Sequence, residues 1–113
     1  MVSIKAFRQL ALAFGETEEQ PHFEKSSFRV RKKIFATLDA LQHKAVLKLS
    51  PIDQSVFCAF DSAVIYPVPG AWGKGGWTIV ELKKVPKGLL QDALITAYCS
   101  VAPKRLAEKY KQS

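Results

Sequence analysis

The segment FRVRKKIFATL, residues 28–38, contains two β-prone runs separated by basic residues. The first run alternates apolar and basic side chains, and the second extends from Ile34 to Leu38. A period of two is typical of a strand with one face in the core. The two runs are close enough to form a hairpin, which places Arg31, Lys32 and Lys33 at its tip.

Three further segments are predicted to be strands. VLKLS at 46–50 follows a polar turn, and WTIVEL at 77–82 is the most strand-like run in the chain. VIYPVP at 64–69 contains two prolines, which cannot donate to a ladder, so it is expected at a sheet edge. The sequence therefore predicts five strands.

Apolar residues at helical spacing predict a helix near each end of the chain. The first begins after Ser3, a good N-cap, and is expected to stop at Gly15. The last occupies much of 86–113 and is expected to break or kink at Pro103. Beyond the break lies a basic tail that contains Lys104, Arg105, Lys109 and Lys111.

A short second helix is predicted after Ser50, an N-cap that is followed by Pro51 at the first helical position. Ile52, Val56 and Phe60 are four residues apart, so they are expected to place one helix face on the core.

This order of elements predicts the α+β class: a two-layer domain over 1–113, with a five-stranded antiparallel sheet and helices on one face. The order is α, three strands, α, two strands, α. At 113 residues the chain fits a single domain.

The chain is basic, with 17 Lys and Arg against 10 Asp and Glu, a net charge of +7. The excess is concentrated around residues 26–50, which suits a nucleic-acid binder, although solubility alone also accounts for a basic domain. No apolar run is long enough for a membrane span or a secretory signal. Cys58 and Cys99 match no metal spacing, and we expect buried thiols in a cytoplasmic protein.

The segment PGAWGKGGW, residues 69–77, raises the question of a phosphate-binding loop. Such a loop lies between a strand and a helix, whereas here a strand follows, so we predict a hairpin connection without a nucleotide. The positive φ values of the turn are expected at Gly70, Gly73, Gly75 and Gly76.

The two tryptophans of this segment are predicted to differ. Trp77 begins a strong strand and is expected in the core, whereas Trp72 lies among glycines and is expected to be exposed. Together with Lys74, an exposed Trp72 could contact a polyanion.

The segment ETEEQPHFEKSS, 16–27, has no apolar period and is predicted to be a loop. It brings His22 close in sequence to Glu18, Glu19 and Glu24, which could serve acid–base chemistry or a metal. With only two histidines in the chain, a surface histidine beside acids is the simpler interpretation. We therefore predict no enzyme, cofactor or metal site.

The chain resembles the MmcQ/YjbR family in the block ETEEQPHFEKSSFRVRKKIFATL, in the tryptophan-led strand after a glycine turn, and in the last helix with ITAYCSVAPKRL. The resemblance implies an α+β domain related in architecture to secretion chaperones, and a DNA-binding protein with two projecting wings. Many relatives have glycine at the first hairpin turn, where this chain has Arg31 and Lys32. The substitution adds charge to a wing but hinders a close approach of its backbone.

The leading hypothesis is a protein that binds double-stranded DNA through its phosphates. The predicted nucleic-acid-binding residues are Arg29, Arg31, Lys32, Lys33, Trp72 and Lys74. One alternative is a chaperone-like module that binds a protein partner through an apolar surface near Trp72. A second is a small-molecule site or enzyme built on the His22 loop.

Overall fold

A computed structural model describes residues 1–22 and 24–110, with no description of the His22 side chain. The strands are β1 Thr17–His22, β2 Lys25–Val30, β3 Lys33–Asp39, β4 Lys44–Lys48, β5 Ile65–Pro67 and β6 Trp77–Glu81. The helices are α1 Ile4–Leu12, α2 Pro51–Cys58, α3 Ala71–Lys74, α4 Lys87–Val101 and α5 Lys104–Ala107, followed by a 3₁₀ turn at Glu108–Tyr110. Among the described residues, no helix is both long enough and apolar enough to cross a bilayer.

The strands form one sheet in the order β1-β2-β3-β4-β6-β5, and every neighbouring pair is antiparallel. The α+β class and the antiparallel sheet are therefore confirmed, with six strands instead of five. As expected from its proline content, β5 lies at an edge of the sheet.

The additional strand is β1, and the prediction of a loop across 16–27 was wrong. Thr17 pairs with Val30 and His22 with Lys25, so β1 follows β2 along its whole length. An edge strand has only one neighbour and tolerates polar residues and a proline, which is why β1 shows no apolar alternation.

The helix boundaries follow local chemistry. The Ser3 hydroxyl accepts a hydrogen bond from the Ala6 amide at 3.0 Å, and the Ser50 hydroxyl accepts one from the Asp53 amide at 3.1 Å. Both side chains satisfy amides that have no partner within the first turn of a helix. The predicted N-caps are confirmed, and so is the break at Pro103, which separates α4 from α5.

The core lies between one face of the sheet and the helices. The rings of Phe7 in α1 and Phe28 in β2 meet edge to face at 5.5 Å, and those of Phe35 in β3 and Tyr98 in α4 at 5.4 Å. The Tyr98 hydroxyl donates to the Gly15 carbonyl at 2.6 Å, which ties α4 to the chain beyond α1. We call this side of the sheet the covered face.

The orientation of α2 differs from the prediction. Ile52, Val56 and Phe60 are exposed, at 78%, 64% and 57%, whereas Gln54 is buried and Phe57 packs on the core. The expected core contact of that apolar stripe was therefore wrong.

The polar contacts of Gln54 explain which side of α2 faces the sheet. Its side-chain amide donates to the Gly73 carbonyl at 2.9 Å, to the Trp77 carbonyl at 3.2 Å and to the Thr78 hydroxyl at 3.2 Å. A helical side chain that satisfies buried acceptors in this way must point inward, because leaving them unpaired is costly.

Candidate nucleic-acid interface

The predicted tip of the first hairpin is present. Val30 pairs with Lys33, which leaves Arg31 and Lys32 as a two-residue turn with φ values of 51° and 70°. Positive φ at both positions is typical of the turn that suits the twist of a two-residue hairpin, although glycine and asparagine are the usual occupants. All three basic side chains of the tip are exposed.

An acid neutralises part of this charge. Glu16 accepts from the Arg31 Nε at 2.8 Å and from an Arg105 guanidinium nitrogen at 3.2 Å. The hydrogen bond from Arg31, followed by that from Arg105, lowers the pKa of Glu16 below its usual value of 4.5. Within the described residues, by contrast, Lys32 and Lys33 have no acid within ion-pair distance.

Arg29 lies away from the tip, within β2. Its Nε donates to the Ser27 hydroxyl at 2.9 Å, and its backbone is paired with Glu18 on one side and Ile34 on the other. Strand alternation directs Arg29 to the face opposite Phe28. The structure therefore separates Arg29 from Lys32 and Lys33, which the sequence analysis had grouped together.

The glycine-rich segment connects β5 to its antiparallel neighbour β6, as predicted, and contains the short helix α3. Only Gly70 and Gly76 have positive φ, at 82° and 106°, so the expectation was wrong for Gly73 and Gly75. Gly73 is required for close packing instead, because a Cβ there would lie 1.8 Å from the Val68 carbonyl oxygen.

The two tryptophans meet at the margin of the sheet. Trp72 is 69% exposed, as predicted, and its ring lies 6.4 Å from that of Trp77. The prediction of a core position for Trp77 was wrong, because its neighbour Thr78 is the residue that faces the helices and Trp77 faces away. The Lys48 ammonium lies 5.5 Å from the centre of the Trp77 ring.

Trp77 belongs to the second face of the sheet, which we call the open face. Its residues are only partly buried and include Ile34, Thr37, Val46 and Ile79. A groove of about 790 Å³ crosses this face, with Ile34, Thr37 and Val46 on its floor. Trp72 borders one side, and Lys25 in the β1–β2 hairpin borders the other.

Sequence reasoning did not find this groove. The available signal was that β4 and β6 carry apolar residues at consecutive positions, such as Val46 with Leu47 and Ile79 with Val80, so both faces of the sheet had to be apolar.

The two segments that were predicted to be wings lie at the same end of the sheet. Val30 pairs with Lys33, Lys48 with Trp77 and Pro67 with Thr78. The β2–β3 turn and the β5–β6 connection therefore lie at the same end of the strands. Strands β3 and β6 are two strand spacings apart, roughly 10 Å. The basic residues at this end, which we call the basic end, are Arg31, Lys32, Lys33, Lys48, Lys74 and Arg105.

His22 belongs to β1 through its backbone, and its side chain lies outside the described residues. Of the neighbouring acids, Glu19 accepts from the Arg8 Nε at 3.0 Å and Glu18 from the Gln20 amide at 2.7 Å. In the described part of the chain, no group of three or more His, Cys, Asp and Glu residues is placed to hold a metal ion.

The amino-acid sequence matches a known protein family. A family model described as YjbR matches residues 12–100, most of the chain. The chain belongs to the YjbR family. The match spans β1 to β6 and most of α4, so it includes the basic hairpin and the tryptophan segment of this YjbR chain.

A solved structure supports the same fold. The YjbR chain is similar to the crystal structure of Deinococcus radiodurans protein DR2400, whose domain is described as DUF419. The TM-score is 0.79 at 21% identity, over 97% of this chain and 88% of the other. At that identity the similarity speaks to the fold alone. No curated protein matches the chain significantly.

Proposed function

We propose that this YjbR chain binds double-stranded DNA by its phosphate backbone through the basic end. The observation that carries the proposal is that the β2–β3 turn and the β5–β6 connection lie at one end of the sheet with exposed lysines. Lys32, Lys33 and Lys74 are all exposed there, and no ion pair to a described acid holds them.

Phosphate contacts of this kind predict the character of the binding. Lysines that neutralise phosphates release counterions, so affinity falls as salt rises. If Arg31, Lys32, Lys33 and Lys74 each neutralise one phosphate, the log affinity falls with log salt at a slope of roughly −3 to −4. Arg31 must leave Glu16, at 2.8 Å, to contribute. Backbone contacts carry little sequence information, so weak sequence preference is expected.

The test is a fluorescence anisotropy titration of a labelled duplex at several salt concentrations. A Lys32→Glu plus Lys33→Glu variant should bind more weakly. The slope of its log affinity against log salt should be smaller in magnitude by about two. The matched control is Lys83→Glu plus Lys84→Glu, which changes the net charge equally in the turn after β6, at the opposite end of the sheet. Equal affinity of the two variants would contradict the proposal.

A second candidate is a protein-interaction module, which the exposed stripe on α2 favours. Apolar side chains are exposed at Ile52 and Val56 of α2 and at Phe60, two residues beyond the end of that helix. Such a surface predicts binding of peptides or of a second copy that persists at high salt, unlike phosphate binding. Sedimentation velocity would detect binding of a second copy, and peptide-library selection would detect binding of a peptide. An Ile52→Ser plus Val56→Ser variant should lose the binding that either method detects.

A further inference from the structure

We propose that the groove on the open face takes unpaired bases of the DNA that the basic end holds, by stacking them on Trp72 and Trp77. This inference rests on the proposed function and narrows it. The ligand it specifies is DNA in which a duplex continues into a single-stranded stretch.

The first step is the chemistry of the groove. Its floor of Ile34, Thr37 and Val46 is mostly apolar and partly open to solvent. A volume of about 790 Å³ is within the range of sites that bury a small organic ligand. A base offers two flat apolar faces, and the Trp72 ring is available to one of them because it is 69% exposed.

The second step is the rigidity of the tryptophan segment. A Cβ on Gly73 or Gly76 would lie 1.8 Å from a backbone carbonyl oxygen, of Val68 and Leu49 respectively, so this backbone packs without spare room. The Gln54 amide donates to the Gly73 carbonyl at 2.9 Å from the other side. An exposed aromatic ring on a backbone held in this way loses little freedom when a ligand stacks on it.

Lys48 completes the support of the rings. Its ammonium donates to the Gly75 carbonyl at 2.6 Å while it stands 5.5 Å from the centre of the Trp77 ring. One cation thus joins the loop to the sheet and places positive charge beside the stacking surface.

The third step is charge around the groove, which selects a nucleic acid rather than an apolar peptide. Lys25 borders one side and Lys48 lies beside Trp77 at the other, with Lys33 at the adjoining basic end. Glu24 is the acid that borders the groove, and it neighbours Lys25 in the β1–β2 hairpin. A strand with its phosphates toward the Trp77 side therefore meets cations, while its bases meet apolar surface and rings.

Bases inside a duplex cannot use such a surface, because both of their faces are already stacked on neighbouring pairs. Unpaired bases at a duplex end have free faces, and a strand that leaves a backbone bound at the basic end reaches Trp72 in the same region of the molecule. The basic end and the groove together therefore favour an overhang over a blunt end.

The experiment compares a blunt duplex with the same duplex that carries a single-stranded thymidine overhang. The overhang should bind at least about fivefold more tightly and should quench the intrinsic fluorescence of Trp72 and Trp77, the two tryptophans of the chain. Trp72→Ala, at an exposed position, should abolish the gain from the overhang, so that this variant binds the overhang duplex and the blunt duplex with equal affinity.

The control is Phe60→Ala, which removes an exposed aromatic ring just after α2 that does not border the groove. It should change neither affinity. A second variant, Val46→Glu, places a carboxylate on the groove floor and should also abolish the overhang gain. Thermal melting identifies any variant that fails to fold.

The outcomes separate the two proposals. An overhang that gives no gain, or a gain that survives Trp72→Ala or Val46→Glu in a folded protein, overturns the stacking inference but not duplex binding. Absence of binding to either DNA overturns both proposals. Binding of an aromatic peptide in the groove, without any effect of the overhang, assigns the groove to a protein ligand and overturns the inference.

Discussion

The two faces of the sheet are both apolar at their centres, yet only one is closed. The covered face contributes Phe28, Phe35, Leu47 and Val80, all with 0% exposure. The open face contributes Ile34, Val46, Trp77 and Ile79, all only partly buried. A difference of one position along a strand therefore separates a residue of the core from a residue of a candidate binding surface.

This difference has an energetic meaning. Apolar area removed from water stabilises the fold, whereas apolar area left in water on a defined surface is free to stabilise a complex. Substitutions on the covered face should therefore act on folding, and substitutions on the open face should act mainly on binding.

Leu47→Ala tests the covered face and should have the largest effect. Removing a fully buried leucine side chain leaves a cavity under α4, and the free energy of unfolding should fall by about 2–5 kcal/mol. Urea denaturation monitored by circular dichroism measures it. A loss well below 1 kcal/mol would mean that this face is not closely packed.

Gln54→Ala tests the polar margin of the covered face. Loss of the side-chain amide leaves the Gly73 and Trp77 carbonyls without these bonds, and the free energy of unfolding should fall by about 1–3 kcal/mol. The same denaturation measurement applies, with Gln42→Ala in an exposed turn as the control. Equal stability of the two variants would show that Gln54 does not hold α2 and α3 on the sheet.

Val46→Ala tests the open face one position from Leu47. Since Val46 is only partly buried and lines the groove, the free energy of unfolding should fall by less than about 1 kcal/mol. Comparison with Leu47→Ala in the same experiment gives the contrast directly. Losses of similar size would remove the distinction between the two faces.

The smallest effect is expected at Glu16, which lies at the basic end. Because its pKa is lowered by Arg31 and Arg105, its ion pairs stabilise the fold fully above pH 4.5, and this contribution is lost as pH falls through the lowered value. Glu16→Gln should flatten that part of the stability–pH curve. Carboxyl NMR titration measures the pKa, and a normal value would contradict the ion pairs.

Local patterns in the sequence predicted the main β2–β3 hairpin, β4, β6, the N-caps and the break at Pro103. These features depend on neighbouring residues, such as a hydroxyl that caps a helix or a ring that removes an amide. The edge strand β1 was missed because its side chains follow no apolar period.

The wrong predictions for α2 and Trp77 have a different cause. Each element has two sides with apolar residues, and the sequence does not show which side faces the core. Val56 on α2 and Trp77 on β6 were expected in the core because they are hydrophobic, yet Gln54 and Thr78 face inward. Their hydrogen bonds form between segments distant in sequence, which no local pattern reveals. The basic tip was predicted, but its partner Glu16 precedes β1 and becomes a neighbour only through the sheet.

The two-residue turn of the first hairpin has a consequence for protein engineering. Arg31 and Lys32 adopt backbone angles that glycine reaches without strain, and non-glycine residues in such angles cost on the order of 1 kcal/mol or more each. Lys32→Gly should therefore raise the melting temperature while it removes a cation from the basic end. Selection of this domain for heat resistance alone would therefore favour replacement of a residue on which the proposed DNA binding depends.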